Sequence, residues 1–164
     1  MATIETQQNY LFFYDRALNS IGENHWKAAI DDLSVSIEMN PDFVPALVNR
    51  GNIYLETGDF PKAGADYERA LHLAPDDAFA RNNLGLVYLN SARDREAIDE
   101  FTRALSLDRE YAEAYFNRAL AFAGSGKIEE AIADLDRAAS LFERQGDKDS
   151  AKNTREFRRK IGNL

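Results

Sequence analysis

Residues 49–51, Asn-Arg-Gly, set an amide, a guanidinium and a glycine in a row, and Gly58 follows shortly before Phe60. Such a cluster could cradle a phosphate or hold a substrate beside a reacting group. A phosphate-binding loop would also need a Lys-Ser or Lys-Thr pair after its glycines, and none is present. The chain has two histidines, His25 and His72, and no cysteine. Neither histidine has a Ser or an acid at triad spacing, so nucleophilic catalysis finds no candidate. Adjacent acids such as Asp31-Asp32 and Glu129-Glu130 point in different directions on a helix and form neither a metal site nor an acid–base pair. The expectation is no catalytic residue, no metal ligand and no cofactor.

The asparagine of this cluster returns at intervals of 34 residues, as Asn49, Asn83 and Asn117. Ala29, Ala63, Ala97 and Ala131 march in step with it, as do Ser36, Ala70, Ala104 and Ala138. Between them stand Leu33, Tyr67, Phe101 and Leu135. A fixed period of this length marks a stacked repeat array, so the cluster belongs first to architecture. The repeats fall at 10–43, 44–77, 78–111 and 112–145, without insertion or deletion. Residues 1–9 lead in, and 146–164 form a capping helix with a basic tail.

Within each unit the apolar residues keep helical spacing on both sides of a turn such as Gly124-Ser125-Gly126-Lys127. Pro41 and Pro75 follow the second helix of their repeats, where a helix cannot continue. Each repeat is therefore two antiparallel helices, A then B, that must stack on their neighbours to bury their apolar faces. Ala151, Phe157 and Ile161 suit one stripe of a final helix covering the last B helix. At the other end, Tyr10, Leu11, Phe12, Phe13 and Tyr14 form an aromatic run that serves either core packing or self-association.

The repeat resembles the tetratricopeptide repeat, on Leu84, Gly85, Tyr88, Ala97 and Phe101 in the third unit and Leu47, Gly51, Tyr54, Ala63, Tyr67 and Pro75 in the second. The first supplies Ala29, Leu33 and Pro41. This resemblance implies an all-α, right-handed superhelical solenoid of four tetratricopeptide helix-turn-helix repeats plus a C-terminal capping helix. It also implies a concave groove lined by A helices, in which an adaptor or assembly factor binds an extended peptide or partner segment.

Gly51 and Gly85, in register with Ala17 and Ala119, fall where helix A meets helix B and only a small side chain allows close approach. Arg16, Arg50 and Arg118 share one position, with Asp32, Asp66 and Asp134 sixteen residues on. A guanidinium on a crowded interhelical face needs such a carboxylate, so an A–B ion pair is expected. The third repeat carries Leu84 and Glu100 instead, and Arg81 stands where Phe13, Leu47 and Tyr115 are large and apolar. No role for Arg81 follows from the sequence beyond an acid on the preceding B helix or a local contact.

On the resemblance, Asn49, Asn83 and Asn117 face the groove, where an amide can pair with a peptide's N–H and C=O. The alternative is a local bond to the next helix or to water. Other groove positions carried over by register are Tyr14, Leu18, Val48, Asn52, Glu56, Phe79, Asn82, Leu86, Phe116 and Glu113. Chaperone-binding members of the family clamp a terminal carboxylate with Lys and Arg here, and neither register of this chain supplies a cation. A neutral or basic segment is therefore expected rather than an acidic C-terminal carboxylate.

Net charge is −8, with seven Lys/Arg against three Asp/Glu in residues 144–164, a local +4 that leaves −12 for the remainder. An acidic body repels phosphate backbones, which argues against nucleic acid. No apolar stretch reaches the length of a membrane span, and the first residues lack a signal-peptide pattern, so the chain reads as soluble and cytoplasmic. The alternative function is a homo-oligomeric scaffold acting through the aromatic first helix and the C-terminal helix.

Overall fold

The computed structural model describes the backbone of residues 4–162 and the side chains of residues 9–162. Among the described residues the chain is helix and turn throughout, with no strand. It divides into two units, Met1–Pro75 and Asp76–Leu164. The first holds α1 (Ile4–Gly22), α2 (Trp26–Met39), α3 (Val44–Glu56) and α4 (Phe60–Leu73). The second holds α5 (Ala78–Asn90), α6 (Asp94–Leu107), α7 (Ala112–Gly124), α8 (Ile128–Arg144) and α9 (Lys148–Ile161). The stretch read as a lead-in is helical from Ile4 and continuous with the first A helix, and residues 1–3 lie outside the described residues.

Local chemistry sets the helix ends. Asp59, Asp77 and Asp147 cap α4, α5 and α9, accepting from the backbone N–H of Lys62, Ala80 and Ser150. Hydrogen bonding to the Ser150 backbone holds the Asp147 carboxyl below its ordinary pKa. Each A–B turn passes through one left-handed residue: Asn24 (φ 58°), Gly58 (79°), Ala92 (56°) and Gly126 (76°). These four are spaced by the repeat period, and at Ala92 the conformation is held by a residue it does not suit.

In unit 1 the core gathers Ala17, Ala29, Leu33, Ile37, Ala46, Leu47 and Ile53. In unit 2 it runs from Ala97, Phe101 and Ala121 to Ala119, Ala131, Leu135 and Ile161. Glycine and aromatic are matched across the A–B contact. A Cβ on Gly51 would stand 3.0 Å from the Tyr67 ring, and one on Gly85 only 2.6 Å from the Phe101 ring. The two repeats with alanine at this position, Ala17 and Ala119, carry the smaller Leu33 and Leu135 opposite.

The expected ion pairs form. Arg50 donates from Nε and Nη2 to Asp66 at 2.8 and 2.7 Å, and Arg118 does the same to Asp134 at 2.7 and 2.8 Å. Arg16 makes the same two-pronged contact with Asp32. Arg50 and Arg118 each use a third nitrogen on the previous B helix, at Ser34 (2.9 Å) and Thr102 (3.0 Å). One guanidinium thus ties three helices. Arg81, for which the sequence offered only an acid on the preceding B helix or a local contact, donates to Glu100 on the B helix of its own repeat at 3.0 Å and is largely buried.

α9 lies on α8 with Ala151, Thr154 and Ile161 buried, while Phe157 is half-buried with its ring 6.1 Å from that of Phe116. Its rim is tied by Arg158 to Asp136 (3.0 Å) and by Arg155 to Glu143. Residues 163–164 of the expected basic tail lie outside the described residues.

Candidate functional site

The residues expected in a groove occupy A helices, and the structure brings them together in two groups, one in each unit. In unit 1, Tyr14 is held by an edge-on contact with Phe43, their centroids 4.9 Å apart. Its hydroxyl accepts from Asn49 Nδ2 at 2.9 Å, across from α1 to α3. Burial pushes the Tyr14 phenol above its ordinary pKa. One turn on, Asn52 accepts from the Tyr67 hydroxyl at 2.6 Å. Asn49, Asn52 and Glu56 line a hollow of about 200 Å³ with Ile21, Trp26 and Ile53. Val48 is half-buried in the core, and Leu18 is 41% exposed on α1.

In unit 2, Asn117 Nδ2 donates to Asn82 Oδ1 at 3.0 Å, linking α7 to α5, and Asn82 Nδ2 donates to Asn83 Oδ1 at 3.2 Å. Asn82 and Asn83 are buried, so Asn83 stands behind the surface that Asn117 reaches. Phe79 is exposed near the start of α5, whereas Leu86 is half-buried against the Phe101 cluster. Glu113 and Phe116 line a hollow of about 290 Å³ with Phe142, Ser150, Asn153 and Thr154.

The amides are thus held in place by bonds within the protein. Asn49 and Asn117 each spend one N–H on the A helix before them, a local bond made to the preceding A helix where the alternative read from sequence named the next helix or water. An amide has a second N–H and a carbonyl, so this bond orients the group without using its full capacity.

Several lining residues escaped the sequence reading. Ser150 and Thr154 are in 34-residue register with Phe116 and with the line of Asn52 and Leu86, so carrying the period into the last helix would have found them. Trp26 and Ile21 had no such signal, since they flank an A–B turn. The aromatic run of α1 divides: Tyr10 and Tyr14 pack on Phe43, Phe13 is half-buried, and Leu11 and Phe12 are 41% and 59% exposed. Phe12 occupies the register of Ala46, Ala80 and Ala114, all fully buried.

A larger hollow of about 480 Å³ lies at the A–B turns of unit 2, among Arg93, Asp94, Arg95, Glu96 and Lys127. Its charges oppose one another, with Arg93 paired to Glu96 at 3.0 Å. His25 and His72 are exposed, and His25 lies 3.1 Å from Glu23. Among the described residues no helix is long and apolar enough to cross a membrane.

Comparison with known proteins places the chain. Tetratricopeptide-repeat family profiles match residues 33–65, 51–91 and 82–151. DnaJ homolog subfamily C member 3 of Bos taurus is 35% identical over 63 residues, 38% of this chain, and that of Gallus gallus is 38% identical over the same length. The chain spans 12% of the length of these relatives. The crystal structure of MamA protein superposes with a TM-score of 0.78, covering 94% of this chain and 92% of MamA at 20% identity, a likeness of fold alone. The first TPR of Spaghetti (RPAP3), solved bound to the HSP90 peptide SRMEEVD, superposes with a TM-score of 0.66 at 26% identity, covering 73% of this chain and 90% of that one. With repeat profiles running from residue 33 to 151, the chain belongs to the tetratricopeptide-repeat family of protein–protein interaction modules.

Proposed function

We propose that this chain is a non-catalytic adaptor that binds a neutral or basic partner segment, in extended form, along its A helices. The observation that carries this reading is the common make-up of the two hollows. Each combines apolar walls (Ile21, Trp26 and Ile53, or Phe116 and Phe142) with amides (Asn49 and Asn52, or Asn153) and one exposed acid, Glu56 or Glu113. Among the described residues no Lys or Arg lines either one. Apolar walls take a partner's side chains, amides pair with its backbone, and a lone acid at the rim favours a cation. Asn49, Asn117, Tyr14, Phe79, Phe116 and Leu86 complete the contact set, with Asn83 acting from behind through Asn82.

The test compares the peptide SRMEEVD with its charge-reversed counterpart SRMKKVD by fluorescence anisotropy. The basic peptide should bind more tightly, and Glu56→Lys/Glu113→Lys should invert the preference. Asn49→Ala and Asn117→Ala, each still helical by circular dichroism, should each weaken the basic peptide in its own unit by roughly 2- to 13-fold, the worth of one amide bond of about 0.5–1.5 kcal/mol. A wild type that prefers SRMEEVD, or ignores charge, would sink this reading. A second reading, a self-assembling scaffold, rests on the exposure of Leu11 and Phe12 on α1. Light scattering on the same samples separates the two, since a scaffold would gain mass with concentration and lose that gain in Phe12→Ser.

A further inference from the structure

α9 reverses the charge of the rest of the chain. It holds six Lys/Arg against two Asp/Glu, and its basic residues are not scattered. Lys148, Lys152, Arg155 and Arg159 recur at steps of four, three and four residues, which places all four within one narrow arc of the helix. All four are exposed, and the arc contains no acid. At the helical rise the row is about 16 Å long. Among the described residues no ion pair draws Lys148, Lys152 or Arg159 inward. Arg155 meets Glu143 across a contact in which both side chains are more than half exposed, a pair that exchanges partners at little cost.

We propose that this row is a second docking surface, distinct from the A-helix hollows, and that it takes a short acidic protein helix. A helix with carboxylates at i, i+4, i+7 and i+11 repeats the spacing of the row and can meet each cation in turn. The alternatives among anions fit less well. A long polyanion such as RNA brings many charges near a chain whose remaining residues sum to −12, and that repulsion grows with each phosphate. An anionic membrane does the same over a plane, and α9 exposes no large apolar side chain to insert. A short acidic helix presents only the charges that the row neutralises. The chain then carries two surfaces of opposite preference, one for basic or neutral segments and one for an acidic helix, which suits a protein that bridges two partners.

The experiment measures binding of four probes to the full chain: a helical peptide with glutamates at i, i+4, i+7 and i+11, a peptide of the same composition with its glutamates spread around the helix, a uridine oligonucleotide, and phosphatidylserine-containing vesicles. The patterned peptide should bind most tightly, weaken as salt rises, and lose about tenfold or more in affinity in Lys152→Glu/Arg159→Glu. Lys148→Gln/Lys152→Gln, which neutralises without reversing, should lose less, and it keeps the test open if the reversal disturbs folding. Tighter binding of the oligonucleotide or the vesicles overturns the proposal, as does a patterned peptide indifferent to both variants. Mass that rises with concentration in wild type, but not in the reversal variant, overturns it in favour of a second copy of the chain.

Discussion

In α3–α4 the guanidinium of Arg50 clasps Asp66 with two bonds, and Asp66 is 5% exposed. In α5–α6 the same repeat position holds Leu84; Arg81, one turn earlier, reaches Glu100 at 3.0 Å, and Arg103 adds a second contact at 2.6 Å. Glu100 is 7% exposed, so both pairs of helices bury an acid to the same depth. What differs is the wiring. Moving the arginine back by one turn lengthens the reach, and Glu in place of Asp supplies the extra methylene. The repeat therefore fixes the place where a carboxylate is buried, while the cation that neutralises it can come from either of two turns.

That comparison makes its largest prediction about removing the cation. Arg50→Ala should cost about 2–3 kcal/mol in urea unfolding, because Asp66 is left buried with its principal partner gone. The figure stays below that of a fully buried pair because the Arg50 side chain is 20% exposed. Arg81→Ala should cost only about 1 kcal/mol, since Arg103 remains on Glu100. Equal losses, or a larger one at Arg81, would break the idea that the two acids differ in their reserve of cations.

The next prediction sharpens the comparison at the glycine beside each arginine position. At Gly85 an added methyl would be driven into Phe101 at 2.6 Å, against 3.0 Å from Tyr67 at Gly51. Overpacking costs about 1–3 kcal/mol and alanine returns up to about 1 kcal/mol of helix propensity. Gly85→Ala should thus lose about 1–2 kcal/mol, and Gly51→Ala should be closer to neutral. Phe101→Leu added to Gly85→Ala recreates the Ala–Leu pairing of Ala17 with Leu33 and Ala119 with Leu135, so most of the loss should return. A double variant no better than the sum of its singles would show that the aromatic is not what excludes the methyl.

Much of this was legible because a 34-residue period writes each contact several times. The Arg–Asp spacing of sixteen and the small residue opposite Tyr67 or Phe101 could be read from repetition alone. Arg81 could not, since its role is defined by what Leu84 fails to do, and a one-turn shift leaves no periodic trace. The hollows were half legible. Asn49, Asn52, Glu56, Glu113 and Phe116 lie on A-helix positions that register can carry over, whereas Trp26 enters from a B helix and Phe142 from the end of α8. Nor does sequence say that Asn49 would be turned by Tyr14, or Asn117 by Asn82, because those bonds depend on how closely successive A helices approach.

The smallest expected effect concerns the turns. Asn24 and Gly58 in unit 1, and Ala92 and Gly126 in unit 2, occupy one repeat position, and all four have positive φ. Glycine adopts this conformation freely and asparagine tolerates it, but alanine sets its Cβ against the backbone. Ala92→Gly removes that strain while giving the unfolded chain more freedom to lose, so the net gain should be about 0.5 kcal/mol. Asn24→Gly should change stability by less, and Gly126→Ala should destabilise by about 1 kcal/mol. Thermal unfolding of the three variants checks the order. If Ala92→Gly is the worst of them, the turn between α5 and α6 is held by its side-chain contacts and not by backbone conformation, and the equivalence of the four turns fails at that repeat.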